Sequence, residues 1–141
     1  DGSKTAEITS VLYEDVKITK PLWWPIWIGP QQQHEPGDDI NDCALAFPLI
    51  KTCFTQGCVN FTDVVLRRVE IDSPLLSPGV ILGNITNPMD VTFEDVVVTN
   101  GKWGGKYPFD GAYLCNNTDM KLVGTVDPAP VCVEGPPNAN F

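Results

Sequence analysis

Apolar and polar positions along the chain repeat in a unit of eight residues. In each copy, apolar residues occupy positions 1, 3, 6 and 8, and two charged residues occupy positions 4 and 5. The three copies align without a gap, at 11–18, 64–71 and 91–98. Alternation predicts β-strands, and the charged pair, which breaks the alternation, predicts a corner between two short strands. A further apolar run follows each copy and predicts a third strand, at 26–29, 80–83 and 112–115.

The repeated units predict an all-β fold built as a parallel β-helix. Val69 and Val96 are 27 residues apart, whereas Val16 and Val69 are 53 residues apart. An irregular insertion at 31–57 accounts for the longer spacing and leaves a period of about 26 to 27 residues. Three short strands per period, without a helical period, are typical of a solenoid of parallel strands. An antiparallel β-sandwich is the alternative that composition alone permits.

We expect one β-helix segment of about three coils, one long loop insertion and a C-terminal tail. The expected boundaries are coil 1 at 1–30, the loop insertion at 31–57, coil 2 at 58–84, coil 3 at 85–115 and a capping tail at 116–141. So short a stack leaves strand edges and apolar side chains uncovered at its N-terminal end. We therefore expect it to belong to a longer chain or to stack on another subunit. The chain also opens on Asp1 rather than Met, as expected for a mature form or a processed fragment.

Composition and charge restrict the partners that the chain can take. Hydrophobic residues make up 43% of the sequence, which is enough to bury a core. Nine Lys and Arg against 18 Asp and Glu give a net charge of −9, which repels phosphate groups, so we expect neither nucleic acid nor an anionic membrane as a partner. The longest apolar run, at 22–28, is far shorter than the roughly 20 residues of a membrane-spanning helix.

Cysteines and glycosylation sequons favour a secreted, extracellular protein. The three sequons begin at Asn60, Asn84 and Asn116, and we expect accessible asparagines there that carry N-glycans. The five cysteines lack the paired spacing of a zinc ribbon, and the one histidine, His34, cannot complete a local ligand set. Disulfides are therefore expected, and no metal or cofactor. A cytosolic protein with buried free thiols is the alternative.

The expected disulfides would fasten the tail and the insertion. A bridge between Cys115 and Cys132 would hold the C-terminus against the last coil. Cys43 would fasten the insertion to Cys53 or to Cys58. We favour the pair Cys43 and Cys53, which leaves Cys58 spare for burial, reaction or pairing with another chain.

One acidic cluster in the insertion could carry chemistry. Its charged or titratable members are His34, Glu35, Asp38, Asp39 and Asp42. Because Pro36 and Gly37 interrupt the cluster, we interpret these side chains as solvated turn residues rather than catalytic carboxylates. A calcium site is a further alternative, although the alternating ligand spacing of a known calcium loop is missing.

Three tryptophans close together could bind a sugar. If Ile26 and Ile28 point inward, alternation turns Trp27 outward beside Trp23 or Trp24, which would form an exposed aromatic patch. Indole faces stack well on sugar rings, so these three residues are the candidate carbohydrate site. We favour the interpretation in which the insertion folds back and covers the patch, with sugar binding as the second choice.

Three stretches carry a resemblance to a known family. They are the block 8–33, which contains Ile26-Trp27-Ile28-Gly29-Pro30, the block 75–84, and the ending 126–132. In these stretches the chain resembles the C-terminal coils of pectinase-type β-helix proteins, the polygalacturonase-like glycoside hydrolases of family 28. The resemblance implies a pectin lyase-like, right-handed parallel β-helix.

The catalytic motifs of that family do not carry over. The family hydrolyses galacturonan by inversion, with carboxylates on Asn-Thr-Asp and Asp-Asp motifs followed by Gly-His-Gly and Arg-Ile-Lys. Here Asn117-Thr118-Asp119 lies in the tail, beyond the last expected coil, and Asp38-Asp39 precedes it, so the order fails. The other two motifs are absent from the sequence. We therefore assign no catalytic residue to the chain.

The sequence and the resemblance together predict a non-catalytic segment of a secreted, glycosylated, pectinase-like protein. Its role would be structural or carbohydrate-associated, in a cell wall or another extracellular setting. Its expected partners are further β-helix coils or another subunit at the N-terminal end, and polysaccharide. The alternative is the C-terminal part of an active polygalacturonase whose catalytic coils lie outside this chain.

Overall fold

The computed structural model describes residues 6–30, 55 and 58–135. These residues form β-strands and no helix, as predicted for an all-β fold. In chain order the strands are β1 (Ala6–Thr19), β2 (Ile26–Ile28), β3 (Val59–Asp72), β4 (Gly79–Leu82), β5 (Met89–Thr99), β6 (Leu114–Asn116), β7 (Thr118–Asp127) and β8 (Cys132–Val133).

The strands form two four-stranded sheets. Sheet A contains β1, β3, β5 and β7 in that order, and sheet B contains β2, β4, β6 and β8 in that order. We call each pair of consecutive strands, one in each sheet, a rung, so that rung 1 is β1 with β2 and rung 4 is β7 with β8. Every pair of neighbouring strands in both sheets is parallel, which excludes the antiparallel β-sandwich.

The register of sheet A aligns equivalent positions of the repeat. Val69 of β3 pairs with Val16 on one side and with Val96 on the other, as predicted. A second predicted column forms in the same way and contains Ile18, Ile71 and Val98. Val69 and Val96 are buried, whereas Val16 at the end of the stack is only half-buried. The 27-residue offset between rungs 2 and 3 is thus confirmed.

The charged pair in each unit forms a corner. Its second residue has a left-handed backbone in every copy, with φ of 56° at Asp15, 51° at Arg68 and 54° at Asp95. One left-handed residue resets the alternation of a strand, so apolar residues before and after it can face the same side. The buried positions of β3 agree with this, because they lie at 64, 66, 69 and 71.

Apolar side chains gather on both faces of sheet B. The larger cluster lies between the two sheets and includes Ile81 of β4 together with the inward columns of sheet A. The smaller cluster contains Val80 and Leu82, which alternate with Ile81 and therefore point to the opposite face. Trp24 and Leu76 from the turns before β2 and β4 cover this second cluster.

The described residues form four rungs, one more than the three coils predicted. The segment assigned to a capping tail, 116–141, includes β7 and β8, which pair with β5 and β6. The eight-residue unit is hidden there because the register shifts after Glu94, beside Gly124, whose φ is 69°. The corner pair of β7 is also uncharged, since it consists of Val123 and Gly124.

The predicted bridge between Cys115 and Cys132 is present. The two residues are direct neighbours in the register of β6 and β8, and their Cα atoms are 4.5 Å apart. The disulfide therefore fastens rung 4 to rung 3. Cys58 has a free, exposed thiol. Cys43 and Cys53 lie outside the described residues, so their predicted pairing stays a prediction.

Candidate functional site

The candidate functional site is the outer side of rung 1. Among the described residues, no strand pairs with the outer edge of β1 or of β2. A cavity of about 280 Å³ opens between these two strands. We call the two free edges and this cavity the rung-1 surface. The lining includes Tyr13, Val16, Ile18, Ile26, Ile28 and, from rung 2, Leu66.

A missing neighbour explains why the rung-1 surface is exposed. Tyr13, Leu66 and Phe93 lie in one column of sheet A, on rungs 1, 2 and 3. Their exposed fractions are 56%, 6% and 0%. The three positions are equivalent in the repeat. Their exposed fractions differ because rungs 2 and 3 each have a neighbouring rung on both sides. Rung 1 has a neighbour on one side only within the described chain.

The free edge of β1 can bind an extended strand. Half of the backbone N–H and C=O groups of an edge strand point away from its sheet, and they form hydrogen bonds with any strand that adds in register. β1 is 14 residues long, which gives such a strand a long edge to follow. The apolar cavity beside it would receive the inward side chains of the added strand.

Charges of opposite sign alternate along the corner of sheet A. Arg67 of rung 2 lies between two carboxylates, and its Nε is 2.6 Å from Oε2 of Glu94 on rung 3. On the other side, Nη1 of Arg67 is 3.0 Å from Oε2 of Glu14 on rung 1. The hydrogen bonds to Glu94 and then to Glu14 raise the pKa of the guanidinium. The arginine thus links three rungs.

A second arginine repeats the arrangement between rungs 1 and 2. Nε of Arg68 is 2.6 Å from Oδ1 of Asp15, and Nη2 is 3.1 Å from Oδ2, so the contact is bidentate. These hydrogen bonds lower the pKa of Asp15 and raise that of Arg68. The outward side of the rung-1 corner remains acidic, because Glu14 and Asp15 meet their arginines only on the rung-2 side.

Comparisons with protein-family models, with curated proteins and with solved structures find no match to this chain. What the chain can do must therefore be inferred from its own residues.

Within residues 6–30, 55 and 58–135, no helix is long and apolar enough to cross a membrane.

The three candidate tryptophans do not form an exposed patch. The predicted alternation holds, because Ile26 and Ile28 join the cluster between the sheets while Trp27 packs on the other face of sheet B. Trp24, however, is only 7% exposed, and Trp27 is half-buried. Trp23 alone is substantially accessible, at 40%. The insertion that was expected to cover the patch lies outside the described residues, apart from Thr55, so its cover of the indoles stays a prediction.

Aromatic contacts explain this burial. The ring of Trp24 meets Trp23 edge-on at 4.8 Å between centroids and Trp27 at 5.5 Å. Tyr107, from the loop before β6, stacks on Trp24 at 6.5 Å. Nε1 of Trp27 donates a hydrogen bond to the carbonyl of Pro30. The described cover of the indoles thus includes Tyr107, whose role was not predicted from the sequence.

The three predicted glycosylation sites differ in accessibility. Asn60 and Asn84 are half-buried and keep part of their side chains at the surface. Asn84 accepts hydrogen bonds from the backbone N–H and the hydroxyl of Thr86 in its own sequon. Asn116 is only 4% exposed because β6 lies between β4 and β8. The predicted accessibility of Asn116 is therefore wrong.

The sequence places the motif Asn117-Thr118-Asp119 in a tail beyond the last coil. In the structure the motif lies instead at the start of β7, within rung 4. Asn117 is buried at the corner before β7, and its amide donates a hydrogen bond to the carbonyl of Gly135 at 2.7 Å. Asp119 is exposed on β7, in register with Asp90 of β5. Asp90 is in turn 3.3 Å from Nζ of Lys121.

The acidic cluster of the insertion, 34–42, lies outside the described residues, so its interpretation as turn residues stays a prediction. Within the described ranges, no group of three His, Cys, Asp or Glu side chains could hold a metal ion.

Proposed function

We propose that the chain is an architectural segment of a right-handed parallel β-helix and that it joins another β-coil through the rung-1 surface. The observation that carries this proposal is the exposure gradient from Tyr13 to Phe93 within one column. The column is buried on rungs 2 and 3, so a further coil on rung 1 would bury Tyr13 in the same way. The cavity beside it offers room for inward side chains of that coil.

The β-helix is supported by the order in which the strands alternate. The chain passes from sheet A to sheet B and back to the next strand of sheet A, rung after rung. A path of this kind is a coil. Connections between parallel strands of one sheet are right-handed in the great majority of proteins, which favours the right-handed form. An experimental density map would show the hand directly, and a left-handed path would contradict this part of the proposal.

We also propose a secreted, glycosylated setting. Two features support it: the disulfide between Cys115 and Cys132, a bond that persists in oxidising compartments, and the surface position of Asn60 and Asn84. A pectinase-like parent is supported by the repeat phrases of the sequence. Under that resemblance, the alternative is a pectin hydrolase whose catalytic coils lie outside this chain.

The carboxylates at the corner of sheet A favour the non-catalytic form of this proposal. An inverting glycosidase needs one carboxyl group of raised pKa and a second ionised one about 6.5 to 9.5 Å away. Glu14 and Glu94 share Arg67, and the pKa of Asp15 is lowered by Arg68. A lowered pKa keeps the carboxyl group of Asp15 ionised, which is unsuited to a general acid.

Trp23 supports a carbohydrate-associated role as a second candidate function. Its indole is exposed and is braced edge-on by Trp24, so one face could stack on a sugar ring. Replacing Trp23 with Ala should abolish retardation of the protein in a gel containing polygalacturonan. Leu22→Ala, which truncates a neighbour that is even more exposed than Trp23, should leave the retardation unchanged. Equal mobility of wild type and Trp23→Ala would refute the role.

Hydrogen exchange tests the architectural function. Amide exchange in β1 should be slow in the protein isolated intact from its natural source, because a further coil bonds the outward N–H groups. In the separate 141-residue chain at high dilution, the same amides should exchange fast. β3 is the internal control, since it is paired on both sides and should be protected in both samples. Fast exchange of β1 in the natural protein would overturn the proposal.

A further inference from the structure

The opposite end of the stack is open as well. Within the described chain, no strand pairs with the outer edge of β7 or of β8. Leu122 of β7 is 46% exposed, although Phe93, its partner on rung 3, is fully buried. We call the free edges of β7 and β8 the rung-4 surface. Like rung 1, this surface exposes apolar side chains because it lacks a neighbour on one side.

The two open surfaces match in register. A second copy moved along the stacking direction keeps its strands parallel to those of the first, so its β1 would add to β7 as β7 adds to β5. The column that begins at Tyr13 ends at Leu122, and the valine column that begins at Val16 ends at Val126. Each column would then continue through the contact with apolar residues on both sides.

The charges on the two surfaces are complementary. One outward column begins at Lys17 on rung 1 and ends at Asp127 on rung 4, so stacking would bring these opposite charges together. At the corner, the acidic rung-1 pair would meet Val123 and Gly124, which carry no charge. A further acidic pair on β7 would have repelled Glu14 and its neighbour, but β7 has none at this corner.

From these matches we propose that copies of this chain stack head to tail, with the rung-4 surface of one copy on the rung-1 surface of the next. The inference rests on the proposed function, in which rung 1 joins a β-coil, and it identifies that coil as rung 4 of a second copy. A head-to-tail contact uses two different surfaces and leaves one of each free. It therefore produces open chains of copies rather than closed dimers, unless a ring closes.

The experiment uses two variants that each block one surface. Tyr13→Glu places a carboxylate on the rung-1 surface, and Leu122→Glu places one on the rung-4 surface. Both residues are about half-exposed in the single chain, so the substitutions should leave the fold intact. Leu75→Glu is the matched control, because Leu75 is equally exposed but lies in the turn between β3 and β4, away from both ends.

Sedimentation of the whole chain gives the readout. The wild type and Leu75→Glu should form species heavier than the 15.4 kDa monomer as concentration rises, whereas each blocking variant alone should stay monomeric. Mixed together, the two blocking variants should form a dimer and nothing larger, because Tyr13→Glu keeps a free rung 4 and Leu122→Glu keeps a free rung 1. Circular dichroism would verify that each variant is folded.

A charge exchange tests the register independently and covers the case in which a blocking variant does not fold. Lys17→Glu and Asp127→Lys should each weaken association about two- to five-fold, the range expected for an exposed ion pair, and the double variant should recover it. Lys106→Glu, in the exposed loop before β6, makes the same change in charge as Lys17→Glu and should have no effect.

Three results would overturn the inference: a wild type that stays monomeric at all concentrations, blocking variants that associate like the wild type, or folded blocking variants that form no dimer on mixing. If the isolated chain is monomeric while β1 is protected in the natural protein, another coil covers rung 1. In that case head-to-tail stacking is wrong and the proposed function stands. Fast exchange of β1 in the natural protein would remove both.

Discussion

The valine column of sheet A allows one substitution to be compared at four depths of the stack. Val16, Val69, Val96 and Val126 occupy equivalent positions on rungs 1 to 4, and only the two central valines are buried. Changing a valine to alanine removes two carbon atoms, worth about 0.8 kcal/mol each when they are buried. The residual cavity adds about 24 cal/mol per Å³. We therefore expect Val69→Ala and Val96→Ala to lower the free energy of unfolding by about 2 to 3 kcal/mol.

At the ends of the column the same change should cost far less. Val16 and Val126 are half-buried and open to solvent on one side, so little transfer energy is lost and no closed cavity forms. We expect a cost of about 1 kcal/mol or less at each. Urea denaturation of dilute protein gives the free energies, with an unchanged m-value as the condition for comparing them. If Val16→Ala lowers the free energy of unfolding as much as Val96→Ala does, rung 1 is not open to solvent. If Val96→Ala lowers it only slightly, the central column is not tightly packed.

Two further predictions concern the bridge and the pH dependence. Replacing both Cys115 and Cys132 with Ser should lower the free energy of unfolding by about 3 kcal/mol, the value expected for a closed loop of this length, and should speed amide exchange in β8. Unchanged exchange in β8 would contradict its fastening by the disulfide. Stability should also fall in acid, because two carboxyl groups have a pKa below the ordinary value of 3.8. The hydrogen bond with Arg68 lowers the pKa of Asp15, and the hydrogen bond with the Asn100 amide is the main cause of the lowered pKa of Asp72. A carboxyl group with a lowered folded-state pKa stabilises the fold above the unfolded-state value, and that stability is lost as the pH falls through the lowered pKa. Thermal melting from pH 6 to pH 2 checks this, and Asp72→Asn should flatten the loss below about pH 4, whereas an equally steep loss in that variant would contradict the assignment.

The sequence predicts the first three strands of sheet A well because its signal is redundant. Each unit has four apolar positions around a charged pair, and a shift of one residue would turn all of them to the wrong side. The same period appears in the pairing of Val69 with Val96 and in the left-handed residues at the corner. Register, inward face and corner therefore follow from one pattern, and the structure agrees on each.

Sheet B is less predictable because its strands are short and apolar on both faces. Alignment of the apolar runs suggests that Ile28 corresponds to Leu82, whereas the structure pairs Ile28 with Ile81. Gly79 accounts for the register, because a Cβ atom there would lie 2.8 Å from Cβ of Ile26. With apolar residues on both faces, alternation gives no signal, and close packing of backbone and side chains decides the pairing.

Only one of the two open surfaces could be predicted from the sequence. The uncovered first unit could be predicted from the repeat, because its columns need a neighbour on each side. The rung-4 surface could not, since Gly124 and the register shift hide the fourth unit. The burial of Asn116 and the stacking of Tyr107 on Trp24 were also missed, because they depend on loops and short strands that meet only in the folded chain.

Both ends of the stack have a free strand edge and exposed apolar side chains, but the two ends differ in the charges beside that edge. A long free edge such as β1 is prone to uncontrolled pairing unless charges, prolines or a partner cover it. Three charged residues of β1, Glu14, Asp15 and Lys17, are paired toward rung 2, so they shield one side only. A coil that covers rung 1 should therefore carry cationic or uncharged residues at the corner and an acidic one opposite Lys17. Rung 4 meets both conditions with Val123 and Gly124 at the corner and Asp127 in the lysine column, which is why a second copy is the partner that these surfaces favour.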